Sequence, residues 1–271
     1  MRVPVPASLR EHVTDAPVGT PAPPRDAATV VLLRDGTSGV EAYLMRRQQT
    51  MAFAAGMYVF PGGGVDRRDS DASIDWVGPD VAVWADRFGC DEALARALVC
   101  AAVRETYEEA GVLLAGPDEH SVVADTSGAQ WQDDRVALES KELSLAALLA
   151  RRRLVLRTDL LAAWTHWITP EFEPKRFDTR FFVAVLPEGQ RVGELPGEAD
   201  RAAWMPLDEA LASVEGGTMM MLPPTRVTCS ELSQLSSAVS ALSAATARRI
   251  LPVMPRLVRD AGDYFLETEL P

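Results

Sequence analysis

ALVCAAVRETYEEAGV, Ala97–Val112, is the stretch on which the reading of this 271-residue chain turns. Placed on a helix, Glu105, Glu108 and Glu109 fall at spacings of three and four and crowd onto one face. Like charges so placed oppose each other by about 0.3 kcal/mol per pair. A solvated helix face tolerates such a run, and a divalent cation compensates it. On the other side Leu94, Leu98, Ala101 and Ala102 make an apolar stripe suited to packing on a sheet. Gly111 is a helix stop, and Val112–Leu114 reads as a short buried strand. The helix is therefore expected to dock by one side and present acid and Arg104 from the other.

Arg104-Glu105-Thr106-Tyr107-Glu108-Glu109-Ala110-Gly111-Val112 matches R-E-U-x-E-E-x-G-U, where U is usually apolar and Thr106 departs. Upstream, Phe60-Pro61-Gly62-Gly63-Gly64-Val65 is similar to the glycine loop that opens the same motif. Together these stretches resemble the two halves of the Nudix box, and the chain resembles a Nudix hydrolase. The full box, G-x5-E-x7-R-E, is interrupted here. Gly63 precedes Arg104 by 41 positions, 27 more than the motif allows, and Arg96 stands where its first Glu belongs. A split box of this kind resembles the branch that includes the peroxisomal coenzyme A diphosphatases. Trp164-Thr165-His166-Trp167-Ile168-Thr169-Pro170-Glu171 and Arg176-Phe177-Asp178-Thr179-Arg180-Phe181-Phe182 are similar to that branch too. The resemblance runs from about Ala27 to Pro224.

It implies an α/β (α+β) fold, a mixed β-sheet sandwiched between helices, with an insertion in the box and a C-terminal helix. It implies that Glu105 and Glu109 are metal ligands, with Glu108 a third ligand or the general base. The Gly63 carbonyl would be a further ligand, and Arg104 would orient a box carboxylate. With Arg at position 96, either another carboxylate orients Arg104 or the arrangement differs. Glu198, with Glu194 behind it, is the candidate for the distal acid that often completes such sites. Arg46, Arg47, Arg176 and Arg180 could meet substrate phosphates, such as the 3′-phosphate of coenzyme A, or form surface ion pairs. His166, between Trp164 and Trp167, reads as a packed residue. The activity implied is Mg²⁺- or Mn²⁺-dependent hydrolysis of a pyrophosphate bond in a nucleotide conjugate, leaning to coenzyme A or acyl-coenzyme A. ADP-ribose, NADH or a nucleoside triphosphate are alternative substrates, and a non-catalytic nucleotide sensor or a structural module are alternatives of other classes.

Composition agrees with these classes. A formal charge of −12 argues against a nucleic-acid partner, because phosphate backbones are held by net-basic faces. It is compatible with an anionic small molecule bridged by a divalent cation. No apolar run approaches the length of a membrane span. The three cysteines, Cys90, Cys100 and Cys229, are scattered and form no C-x-x-C, which points to a reducing cytoplasm. Residues 1–25, rich in Pro, read as a flexible arm; 26–225 as the main domain, with 66–91 inserted as a cap over the cleft or a surface elaboration; and 226–271 as a helical extension. In that extension, Leu232, Leu235, Val239 and Leu242 fall at helical spacing, as core or as the seam of a homodimer.

Overall fold

The apolar run at 27–33 has no polar face, and a strand of that kind is stable only when both sides are covered. The computed structural model covers both. It describes residues 2–5, 13, 20–51, 54–195, 197 and 199–270. Glu198, the expected distal acid, lies outside the described residues. The chain opens with β1 (Arg2–Pro4), then β2 (Arg25–Gly36) and β3 (Gly39–Arg47), followed by the short strands β4 (Tyr58–Val59) and β5 (Gly62–Gly64). A 3-10 turn at Arg67–Ser70, β6 (Trp76–Val77) and α1 (Val81–Phe88) lead into the long helix α2 (Glu92–Ala110). Next come β7 (Ala115–Gly116), α3 (Ala129–Glu139), α4 (Leu145–Arg152), β8 (Val155–Arg157), β9 (Leu161–Ile168), β10 (Phe177–Val185) and β11 (Ala199–Pro206). The rest is α5 (Leu207–Glu215), α6 (Pro223–Leu232), α7 (Ala238–Thr246), β12 (Pro252–Val253), β13 (Arg256–Asp260) and β14 (Asp263–Glu267).

The main sheet is mixed and runs β11-β3-β2-β10-β9-β12, with β5 paired to the start of β2 and β4 to the end of β3. At its centre β2 and β10 are parallel, in register from Phe177 opposite Arg25 to Val185 opposite Leu33. Ala28, Val30 and Leu32 enter one core, shared with α1, α2, α3 and α4. Val31 and Leu33 enter a second core under α5, α6 and α7. This is the sandwich expected from the sequence.

Four local expectations are corrected. Val112–Leu114 is fully buried but is no strand: the Gln190 side chain bonds Leu113 N and Leu113 O at 2.9 Å each, taking the place of a ladder. The segment 66–91 is neither cap nor decoration. Trp84 and Phe88 pack on Phe182 in the main core, with ring centroids 5.6 and 5.1 Å apart, and of this segment Asp66 alone lines the cleft. Part of the Pro-rich arm is paired, since Arg2–Pro4 is hydrogen-bonded to β14. The C-terminal stretch is two short helices, a strand and a hairpin instead of one helical extension, because Ser233 ends α6 and Ser237 caps α7. Its stripe divides accordingly: Leu232 is buried, and Val239 is 59% exposed.

Candidate active site

The glycine loop and the acidic helix, 41 positions apart in sequence, meet at the start of the central strand β2. β5 pairs with β2 through Thr29–Gly62, Ala28–Gly63 and Ala27–Gly64, which lays the loop beside the last two turns of α2. Gly62 N donates to Glu109 Oε2 at 2.6 Å. Gly63 lies so near Glu105 that a Cβ there would sit 2.5 Å from Glu105 Oε1. Gly64 O accepts from Arg104 Nη2 at 2.9 Å. At the end of α2, Gly111 adopts the left-handed conformation at φ 70°. Arg135, on α3, donates to the terminal carbonyl of Glu108 at 2.8 Å, where a cation complements the helix dipole. Thr106, the departure from the apolar pattern, is buried without penalty because its hydroxyl donates to Ala102 O at 2.7 Å.

Arg104 is buried and all five of its N–H donors are used. Nε and Nη2 grip the two oxygens of Asp69 at 2.9 Å each, Nη2 also reaches Gly64 O, and Nη1 meets Glu105 at 2.6 Å and Glu108 at 3.3 Å. Asp69, which the sequence reading did not single out, is the carboxylate that takes Nε and Nη2. It lies in the inserted segment, on the 3-10 turn, where Asp66 caps Arg68 N and Asp69 in turn accepts from Asp66 N at 2.8 Å. The signal was present in the motif itself, since Asp69 stands six positions after Gly63, the acid's place in G-x5-E, with the interruption falling after it.

The carboxylates are strongly perturbed. Burial, with Glu108 adding repulsion and Arg104 opposing, pushes Glu105 up to about 7. Burial also raises Glu108 against the pull of Arg104, with Asp69 and Glu139 adding to the rise. Glu139, at the end of α3, lines the same cleft and was missed, having no motif around it. Among the described residues no three acidic, His or Cys side chains converge as a ready-made metal cage. The donor set nonetheless fits a hard divalent cation: buried carboxylates that repel each other, facing a glycine cradle that any Cβ would fill.

The cleft encloses about 660 Å³ and extends from these acids across β2 and β10 toward Trp167 and Phe177. Arg47 lines it; Arg46 does not, being paired with Asp200 at 2.6 and 2.8 Å. The expectation for Arg176 is corrected: it is buried behind the cleft and donates to Thr169 O and Ala22 O at 3.0 and 2.8 Å. Arg180 is buried between Asp26 and Asp178, at 2.9 and 2.8 Å, and His166 is buried against Asp178. Glu194 is exposed, and its carbonyl accepts from Arg135 at 2.9 Å. Arg25, Lys141 and Lys175, which the sequence did not single out, line the cleft.

Comparison with known proteins follows the same outline. A family model described as the NUDT19 Nudix domain matches residues 85–232. The acyl-coenzyme A diphosphatase NUDT19 of Xenopus laevis is 26% identical over 237 residues, covering 73% of this chain and 61% of that protein. A putative nudix hydrolase 7 of Caenorhabditis elegans is 24% identical over 247 residues, covering 91% and 72%. The chain thus spans about three fifths of the length of the Xenopus relative. Among solved structures, a NUDIX hydrolase from Alicyclobacillus acidocaldarius superposes with a TM-score of 0.67 at 31% identity, covering 82% of this chain and 96% of that one.

Proposed function

Because this chain belongs to the Nudix hydrolase family, in the group of the NUDT19 Nudix domain, we propose that it hydrolyses the pyrophosphate bond of a nucleoside diphosphate conjugate, with coenzyme A and its acyl thioesters as the preferred class. The observation that carries this reading is the closure of the split box: Gly62 on Glu109 and Gly63 on Glu105 bring both halves to one cleft. The name of the Xenopus relative supports the substrate class. The chain's two lysines, Lys141 and Lys175, both line the cleft together with Arg25 and Arg47, which suits a substrate bearing several phosphates.

Glu105, Glu109 and the Gly63 carbonyl would hold the divalent cation, Mg²⁺ or Mn²⁺. When bound, it neutralises the diphosphate and polarises the phosphorus under attack. Arg104 fixes the directions of Glu105 and Glu108. Glu108 is the general base: its raised pKa and its longer contacts to Arg104 suit a group that takes a proton from water. The water oxygen forms a bond to one phosphorus as the bridging P–O bond breaks, and the other phosphate leaves with the electron pair. On coenzyme A the products are 3′,5′-ADP and 4′-phosphopantetheine. The cysteines are all free thiols, which supports a reducing, cytoplasmic setting.

The test is a panel of coenzyme A, acyl-coenzyme A, ADP-ribose, NADH and nucleoside triphosphates, each with Mg²⁺ and with Mn²⁺. Highest kcat/KM on the coenzyme A members is expected. Turnover that survives EDTA would overturn the mechanism, and preference for another member would overturn the substrate class.

A further inference from the structure

We propose that Lys141 is a substrate-binding residue of this cleft, its ammonium contacting an oxygen of the substrate diphosphate. The inference rests on the reading of the cleft as a diphosphate-hydrolysing site and adds to it a residue that no motif marks.

Lys141 stands in a backbone conformation that disfavours any side chain. α3 ends at Glu139, Ser140 caps it, and Lys141 follows in the left-handed region at φ 64°. A Cβ makes that region unfavourable, and glycine or asparagine is its usual occupant after a helix. The turn is nevertheless held on both sides. Lys141 N donates to Leu138 O at 2.8 Å, and Lys141 O accepts from Arg68 Nη1 at 3.0 Å. Arg68 is gripped in turn by Asp66, whose Oδ1 takes Nε at 3.0 Å and whose Oδ2 takes Nη2 at 3.1 Å. Asp66 follows Gly64 by two residues. Lys141 is therefore anchored to the chain that continues from the glycine loop, and not to α3 alone.

The ammonium so placed is unpaired. Lys141 is exposed and lines the cleft with Glu105, Glu108, Glu109 and Glu139. Among the described residues its ammonium forms no hydrogen bond or ion pair. Lys175, the chain's other lysine, instead lies over the Phe177 ring at 5.5 Å. Residues held in rare backbone conformations gather at functional sites, where the surrounding structure keeps them in place. Charge supplies the task. Four carboxylates and a diphosphate carry more negative charge than one divalent cation offsets. Charge on the phosphate oxygens during transfer is stabilised by a fixed positive group beside the metal. A lysine serves there as a point charge on a flexible stem.

The experiment compares Lys141→Gly with Arg153→Gly in the full chain, on coenzyme A with Mg²⁺. Arg153 is the left-handed C-cap of α4 at φ 56°, is exposed and does not line the cleft. Glycine relieves the same strain at both positions. Both variants are expected to melt at or above the wild-type temperature, by up to about 3 °C. Lys141→Gly is expected to lose about 10- to 100-fold in kcat/KM, and Arg153→Gly to keep the wild-type value. A lysine with a structural role alone would not lower activity while the melt holds. Equal kcat/KM in Lys141→Gly and wild type would overturn the proposal and leave the hydrolase reading standing. A wild-type chain that cleaves no diphosphate would overturn both. The same loss is expected on 3′-dephospho-coenzyme A, which keeps the diphosphate. A loss confined to coenzyme A would move the contact to the 3′-phosphate and overturn the assignment. Should Lys141→Gly not fold, Lys141→Asn also tolerates the left-handed region and carries the same expected and overturning results.

Discussion

Gly62 N donates to Glu109 Oε2 at 2.6 Å across 47 positions of sequence. One bond therefore joins the strand that carries the glycine loop to the helix that carries the acids. A Gln at 109 keeps an oxygen that can accept this bond and removes the charge. Glu109→Gln is expected to lower turnover by about 100-fold. Its melting temperature should stay within about 3 °C of wild type, or rise slightly as repulsion is relieved. Steady-state kinetics alongside a melt decides, and undiminished turnover would remove Glu109 from the site.

Two neighbouring glycines should respond differently to the same methyl group. A Cβ at Gly63 would stand 2.5–2.6 Å from the Glu105 carboxylate, whereas at Gly64 the nearest atom, Asp26 O, is 4.0 Å away. Gly63→Ala is expected to lose most activity through displacement of Glu105 while remaining folded. Gly64→Ala is expected to retain it. Equal kcat/KM in the two variants would mean that the cradle has no bearing on the reaction.

The stability of the metal-free chain should depend on pH with an unusual sign. Glu105 is pushed up to about 7 from an ordinary 4.5. Between those values the folded state binds more protons than the unfolded one, so stability falls as pH rises. Melts in EDTA from pH 5.5 to 7.5 are expected to decline with pH, and Glu105→Gln to flatten this decline. A saturating divalent cation should reverse it, because the cation favours the ionised carboxylates. A slope unchanged by Glu105→Gln would place the titrating group elsewhere.

The arginines singled out by sequence should separate by role. Arg176→Ala leaves the carbonyls of Thr169 and Ala22 without their donor and is expected to cost about 3 kcal/mol of stability, seen in denaturant unfolding. Arg46→Ala breaks an exposed pair with Asp200 and should change KM less than about twofold. Arg47→Ala, on the cleft wall, should raise KM for coenzyme A with little change in stability. A KM effect confined to Arg46 would reverse the assignment.

The sequence was most legible where one local regularity carried the information. The spacing of Glu105, Glu108 and Glu109 placed three carboxylates on one helix face, and the β-branched run at 27–33, bounded by polar residues, reads as the strand that it is. It was least legible where a backbone group found a side chain instead of another strand. Leu113 satisfies its amide and carbonyl on Gln190, 77 positions away, so an apolar triplet that reads as β is not β. The same blindness hid Glu139, which no spacing connects with Glu108.

Sequence by itself determined the family, the mixed-sheet sandwich and the crowding of three acids on one helix face, because helical and strand periods and a short motif are properties of neighbouring residues. Tertiary structure alone decided that Gly63 stands against Glu105, that Arg176 faces inward, and that Asp69 takes Nε and Nη2 of Arg104. Those pairings depend on where the sheet returns the chain after dozens of residues, and a buried guanidinium takes the carboxylate that geometry brings to it.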